Sequence, residues 1–115
     1  MHAYSDPVDG ARILDLFAGT GALGLEALSR GAKFACFVED AAEARGLIKE
    51  NIETLGVAGQ SKVFRRDATR MGSVHPNEPF SLIFCDPPYG KNLAPEALSS
   101  TLAGGWVTNN ALFVV

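Results

Sequence analysis

The sequence predicts an α/β fold, a doubly wound and mainly parallel sheet with helices on both faces. Three observations predict it. Five short apolar runs alternate with helical patterns along the 115 residues. Most of these runs are continuous rather than alternating, as in strands covered on both sides. Asp15, Glu39, Asp67 and Asp86 stand at or near the C-terminal ends of four successive runs, the edge at which open α/β sheets bind their ligands.

The elements follow in order. Strands are expected at residues 13–17, 34–39, 63–67, 82–86 and 112–115. The first helix is expected over 22–30, stopped by Gly31. The second spans 41–55, with Ala44, Leu47, Ile48, Ile52 and Leu55 on one face, and ends at Gly56. A third begins near Pro95, a residue suited to a first helical turn, and stops before Gly104 and Gly105. Residues 71–80, with two prolines and a glycine, read as a loop. Strand, helix, strand in this succession implies right-handed crossovers. No repeat, low-complexity tract or linker interrupts the pattern, so residues 1–115 read as a single domain.

Composition narrows the class. A hydrophobic fraction of 47% with 20% charged residues is that of an ordinary globular chain. No apolar run approaches the ~20 residues needed to cross a bilayer, and the opening residues, from Met1 and His2 to Asp6, do not resemble a signal peptide. Cytoplasmic localisation is the default. Cys36 and Cys85 sit inside apolar runs and read as small core residues rather than a disulfide or a metal pair. His2 and His75 are isolated in loop-like contexts and read as incidental, so no metal is expected. Trp106 reads as packing near the start of the last strand. Thirteen acidic residues against ten basic ones leave a net charge of −3, which predicts weak binding to nucleic acid by this chain alone. Lys62, Arg65, Arg66 and Arg70 cluster, and Lys91 lies farther on.

The first chemical motif is the turn Asp15-Leu16-Phe17-Ala18-Gly19-Thr20-Gly21-Ala22-Leu23-Gly24. Gly19, Gly21 and Gly24 satisfy the dinucleotide fingerprint G-x-G-x-x-G, and Glu39, 20 positions after Gly19, is placed to bind ribose hydroxyls. A nicotinamide-dependent dehydrogenase is therefore one reading. Asp15 weighs against it. A dinucleotide lays its anionic pyrophosphate on the helix N-terminus, and a carboxylate facing that site opposes it. S-adenosylmethionine has no phosphate and carries an ammonium and a sulfonium, which a nearby carboxylate favours.

The second is Asp86-Pro87-Pro88-Tyr89, at the end of an apolar run. Two prolines cannot continue a central strand, so the chain leaves the sheet at Asp86 on a stiff platform. That platform joins a carboxylate, a carbonyl and an aromatic ring. The combination suits activation of an exocyclic amine on a base, whose lone pair is delocalised into the ring. Acceptors aimed at both N–H bonds, the Asp86 carboxylate and the Pro87 carbonyl, free that lone pair, and Tyr89 stacks on the base.

The segment 15–21 resembles the first motif of class I S-adenosylmethionine-dependent methyltransferases. The resemblance implies that Asp15, Phe17, Ala18, Gly19, Thr20 and Gly21 pass under the methionine moiety and that Glu39 takes the ribose hydroxyls, with Asp40 as its possible substitute. It also implies that Asp67 and the Ala68 N–H recognise the adenine edge. Asp86-Pro87-Pro88-Tyr89 resembles the [Asp/Asn]-Pro-Pro-aromatic motif of amino methyltransferases acting on DNA, RNA or a protein glutamine amide. Residues 15–32 are similar to one family in particular, the bacterial guanine-N2 methyltransferases of small-subunit ribosomal RNA. The implied partner is ribosomal RNA or a small-subunit assembly particle. Family members have a further N-terminal segment and a full seven-stranded sheet, so the resemblance implies a truncated fold, incomplete at both ends. Adenine-N6 or protein-amide methylation, a non-catalytic cofactor- or ribosome-binding module, and the dehydrogenase remain as alternatives.

Overall fold

The computed structural model describes residues 6–115; the expectations for the opening residues and His2 fall outside them. The apolar runs form five strands: β1 (Arg12–Leu16), β2 (Phe34–Val38), β3 (Ser61–Phe64), β4 (Phe80–Cys85) and β5 (Val107–Val114). Three helices join them, α1 (Ala22–Ser29), α2 (Ala42–Leu55) and α3 (Ala94–Ala103), with one 3-10 turn at Ala58–Gln60. All strand pairs are parallel, in the order β3-β2-β1-β4-β5. The chain winds outward from β1 to β3 on one side and from β4 to β5 on the other, so its order reverses between β1 and β4. That is the doubly wound arrangement the sequence predicts.

Alternation along the strands sorts the core into two layers. Ile13, Ala35, Phe37 and Leu82 pack with Leu25 and Leu28 of α1 and Ile48 and Ile52 of α2. Leu14, Leu16, Cys36, Val38 and Ile83 face the other way, onto Ala97 of α3, Met71 and Trp106. Trp106 is fully buried. Its ring stacks on Phe80 at 6.1 Å and meets Phe64 edge-on at 5.9 Å, and its Nε1 donates to the Gly72 carbonyl at 2.8 Å. A tryptophan can be buried this way because its one polar atom is satisfied. Both cysteines are buried and free.

Three expectations need correction. The last strand begins at Val107, five residues before the expected 112–115. Phe80 pairs with Val107 and Leu82 with Leu112, so β5 bulges between them, and its polar Thr108, Asn109 and Asn110 hide the strand from a hydrophobicity pattern. The third strand closes at Phe64 rather than Asp67: the Glu39 N–H on the Phe64 carbonyl ends the pairing with β2, and Arg65 starts the loop. Along α2 only Ile48 and Ile52 are buried; Leu47 and Leu55 face solvent.

Gly104 ends α3 at an ordinary negative φ, so its need is for space alone. A Cβ there would collide with the Gly72 carbonyl and lie 2.7 Å from the Trp106 ring. Gly104→Ala is expected to cost about 2 kcal/mol or more by overpacking. Gly46→Ala, mid-helix in α2 with nothing within 4 Å, is expected to gain about 0.5–1 kcal/mol through helix propensity. Thermal unfolding of the two variants checks both signs.

Among the described residues, no helix is long and apolar enough to cross a membrane. No group of three or more His, Cys, Asp or Glu residues there could hold a metal ion.

Candidate active site

β1 and β4 are adjacent, with Leu16 opposite Cys85, so the glycine turn and the Asp-Pro-Pro-Tyr segment leave the sheet side by side. This is the point where strand order reverses and a crevice must open. Phe17, directly after β1, has φ 56, a left-handed conformation that costs a non-glycine residue about 1 kcal/mol or more. The turn then closes with the Gly21 N–H on the Ala18 carbonyl at 2.8 Å. Gly21 has φ 81, and a Cβ there would press on Ile48 and Phe37 at 3.2–3.3 Å. Glycine is required on both counts.

Asp15 lies inside β1 on the α1 face and is 1% exposed. Its Oδ2 accepts the Gly24 N–H at 3.1 Å, satisfying one of the donors that a helix start leaves unpaired. Burial pushes the carboxyl up to about 7, the Gly24 hydrogen bond opposes that rise, and the charges of Asp86 and Glu39 add to it. Gly24 permits the approach, since a Cβ would sit 2.5 Å from the Phe37 ring and 3.1 Å from Asp15 Oδ2.

Glu39 and Asp40 divide their work. Glu39 Oε1 accepts the Gly19 N–H at 2.8 Å and its Oε2 the Ala41 N–H at 3.1 Å, tying the glycine turn to the start of α2. Asp40 faces a cavity of about 300 Å3. Phe17 and Val38 line that cavity from the ends of β1 and β2. Asp67, Ala68 and Thr69 line it from beyond β3, and Pro88, Lys91 and Leu93 from beyond β4. Arg66 completes the wall, its guanidinium stacked 5.1 Å from Phe64 and 5.2 Å from Trp106 and donating to the Met71 carbonyl at 2.8 Å. Asp67 Oδ1 accepts both the N–H and the hydroxyl of Thr69, at 2.9 and 2.7 Å, which holds its carboxyl below the usual range.

Of the sequence-derived candidates, the cavity unites Phe17, Asp40, Asp67, Ala68 and Pro88. Ala18, Gly19, Thr20 and Gly21 form the turn beside it. Asp86 and Tyr89 are exposed on the segment next to it, Tyr89 completely, and Pro87 is half-buried. Asp15 and Glu39 do not line the cavity; each is spent on the backbone of the glycine turn or of α1. The sequence reading missed Val38, Thr69 and Leu93 and treated Arg66 and Lys91 only as local charge. Their nearness to Asp67 and to the double proline was the available signal. Cys85 adjoins Asp86, and burial and that negative charge raise its thiol pKa, the opposite of what activates a cysteine.

Comparison with known proteins agrees with this architecture. Ribosomal RNA small subunit methyltransferase D of Escherichia coli (strain K12) is 41% identical over 106 residues, covering 91% of this chain and 52% of that protein. The chain spans about half the length of the curated relatives it matches. The crystal structure of HI0767 from Haemophilus influenzae superposes with a TM-score of 0.80 at 34% identity, covering 92% of this chain and 67% of that one. A methyltransferase of Thiobacillus denitrificans, solved with S-adenosyl-L-homocysteine, shares the fold at 22% identity with a TM-score of 0.71, over 91% of this chain and 41% of that one. The family described as Conserved hypothetical protein 95 matches residues 1–115. With its parallel sheet, its switch-point cavity and these likenesses, the chain is a class I Rossmann-like methyltransferase fold and belongs to that family.

Proposed function

We propose that residues 1–115 are a single domain of a methyltransferase that uses S-adenosylmethionine to methylate the exocyclic N2 amine of a guanine in small-subunit ribosomal RNA. The observation that supports this most is the adjacency of the two motifs: Phe17 and Pro88, from the segments after β1 and β4, line one cavity.

The cavity suits the adenosine half of the cofactor. At about 300 Å3 it lies at the low end of ligand pockets. Its walls carry apolar surface from Phe17, Val38, Pro88 and Leu93, a carboxylate for hydroxyls from Asp40, and the Ala68 backbone. A dinucleotide fits less well. Its pyrophosphate needs the free donors at the start of α1, and there the Gly24 N–H is already taken by Asp15. The Asp15 carboxyl adds a repulsive charge beneath the turn once ionised.

S-adenosylmethionine, when bound, supplies an electrophilic methyl group. The chain's own part is to hold the nucleophile. The Asp86 carboxylate and the Pro87 carbonyl accept the two N–H bonds of the amine and release its lone pair from the ring. Hydrogen bonds to a charged acceptor contribute about 1.5–3 kcal/mol each. Tyr89, fully exposed, offers a ring on which an extruded base can stack. The proton that leaves the methylated amine passes to Asp86 or to solvent.

The relatives named as ribosomal RNA small subunit methyltransferases support the RNA class. The choice of guanine rests on the resemblance of residues 15–32. Incubation with labelled methyl donor and ribosomal RNA, followed by nucleoside analysis, is expected to yield N2-methylguanosine. N6-methyladenosine as the sole product would overturn the guanine assignment.

A further inference from the structure

We infer that Ser100 of α3 is a positioning residue that fixes the Ala68 turn so that its backbone N–H can read the edge of an adenine base. The inference rests on the cofactor reading above and adds to it a residue outside the cavity.

Ala68 is 4% exposed and lines the cavity. Its N–H meets no acceptor among the described residues. Leaving a buried donor unpaired costs about 1–3 kcal/mol, so this one is kept for an acceptor brought by a ligand. Its direction is set by the peptides around it. The Arg70 N–H donates to the Asp67 carbonyl at 2.9 Å, closing a tight turn over Asp67, Ala68, Thr69 and Arg70. The peptide after Ala68 is clamped at both ends. The Thr69 N–H is held by Asp67 Oδ1 at 2.9 Å. The Ala68 carbonyl is held by the Ser100 hydroxyl at 2.7 Å.

Only the last of these bonds comes from outside the turn. Ser100 has one hydroxyl proton and two carbonyls within reach, Ala68 at 2.7 Å and Ala97, one turn back in its own helix, at 3.1 Å. The shorter bond to Ala68 takes the proton, against the local alternative that serine hydroxyls in helices commonly adopt. Because α3 is the next element after the Asp-Pro-Pro-Tyr segment, this bond fastens the Ala68 turn to the helix that follows the proposed substrate platform. Without the hydroxyl, the Ala68 carbonyl loses its partner and the turn keeps only its internal bonds, from Arg70 to the Asp67 carbonyl and from Thr69 to the Asp67 carboxylate. A loosened turn no longer presents the N–H in one direction.

The test compares binding of S-adenosylhomocysteine and S-inosylhomocysteine by calorimetry to the unsubstituted chain, Ser100→Ala and Ser100→Thr. The inosine ring carries a proton where adenine has the N1 acceptor, so it cannot receive the Ala68 N–H there. The unsubstituted chain is expected to prefer the adenosyl compound. Ser100→Ala is expected to lose about five- to tenfold of affinity for it and none for the inosyl compound; Ser100→Thr restores the preference. Alanine favours a helix interior, so α3 persists in the variant. Equal weakening of both ligands would mean a merely structural role, and unchanged preference in Ser100→Ala would mean none; either overturns the inference while the cofactor reading stands. No binding of S-adenosylhomocysteine by the unsubstituted chain overturns that reading and the inference with it.

Discussion

Asp86→Ala is expected to lower methyl transfer by about 10²–10³-fold while S-adenosylhomocysteine binds nearly as before. The residue is exposed and does not line the cavity, so its removal leaves the adenosine contacts in place. What it removes is the charged acceptor for one amine N–H, a contact that strengthens as the nitrogen leaves the ring plane. Losing a preorganised group of this kind costs about 3–4 kcal/mol in other enzymes, which sets the magnitude. Asp86→Asn keeps an acceptor oxygen without the charge and should fall between the two. Single-turnover assays with calorimetry on the same samples check the prediction; full activity in Asp86→Ala would refute the proposed chemistry.

The second large effect concerns stability and has a definite sign. Asp15 titrates near pH 7 when folded, against an ordinary value of 3.8. Between these values the native chain binds the proton and the unfolded chain does not, so stability falls as pH rises through this window and levels off above it. The total is on the order of 4 kcal/mol. Asp15→Asn keeps an oxygen for the Gly24 N–H and removes the ionisation. It is expected to flatten the pH dependence between 4 and 7 and to raise the melting temperature at pH 8 by about 10 °C or more. Melting curves for both proteins across this range decide it, and an unchanged pH slope in Asp15→Asn would assign the titration elsewhere. Because the Asp86 charge also raises the Asp15 pKa, the midpoint of the slope should move downward in Asp86→Ala.

Why an ionisable group sits where it is costly follows from its position. It caps α1 from inside the sheet, and it stands beneath the turn against which a cationic cofactor would rest. An isosteric amide serves the first purpose and not the second. Asp15→Asn should therefore gain stability and lose affinity for the methyl donor at pH 8.

The fold was legible because burial on both faces leaves a clear signal: β1, β2 and β4 are mostly apolar, and a glycine stands at or just after the end of each helix that follows them. β5 was half hidden because Thr108, Asn109 and Asn110 lie in a bulge, where the pattern of alternate burial breaks. Site residues were legible by position along the chain and not by direction. The sequence put Glu39 first, with Asp40 as its substitute; Gly19 and Ala41, whose N–H groups need an acceptor, turn Glu39 away and leave Asp40 on the cavity. For Asp15 the sequence left the direction open, and the Gly24 N–H fixes it against the start of α1. Ser100 was beyond reach, since its partner lies 32 residues away and no local pattern joins them.

Calorimetric titration of S-adenosylhomocysteine and, in parallel, of NAD into the purified chain tests the central claim most directly. The account predicts saturable one-to-one binding of the first and none of the second, with the affinity reduced by Asp40→Ala. Binding of NAD without S-adenosylhomocysteine would contradict it.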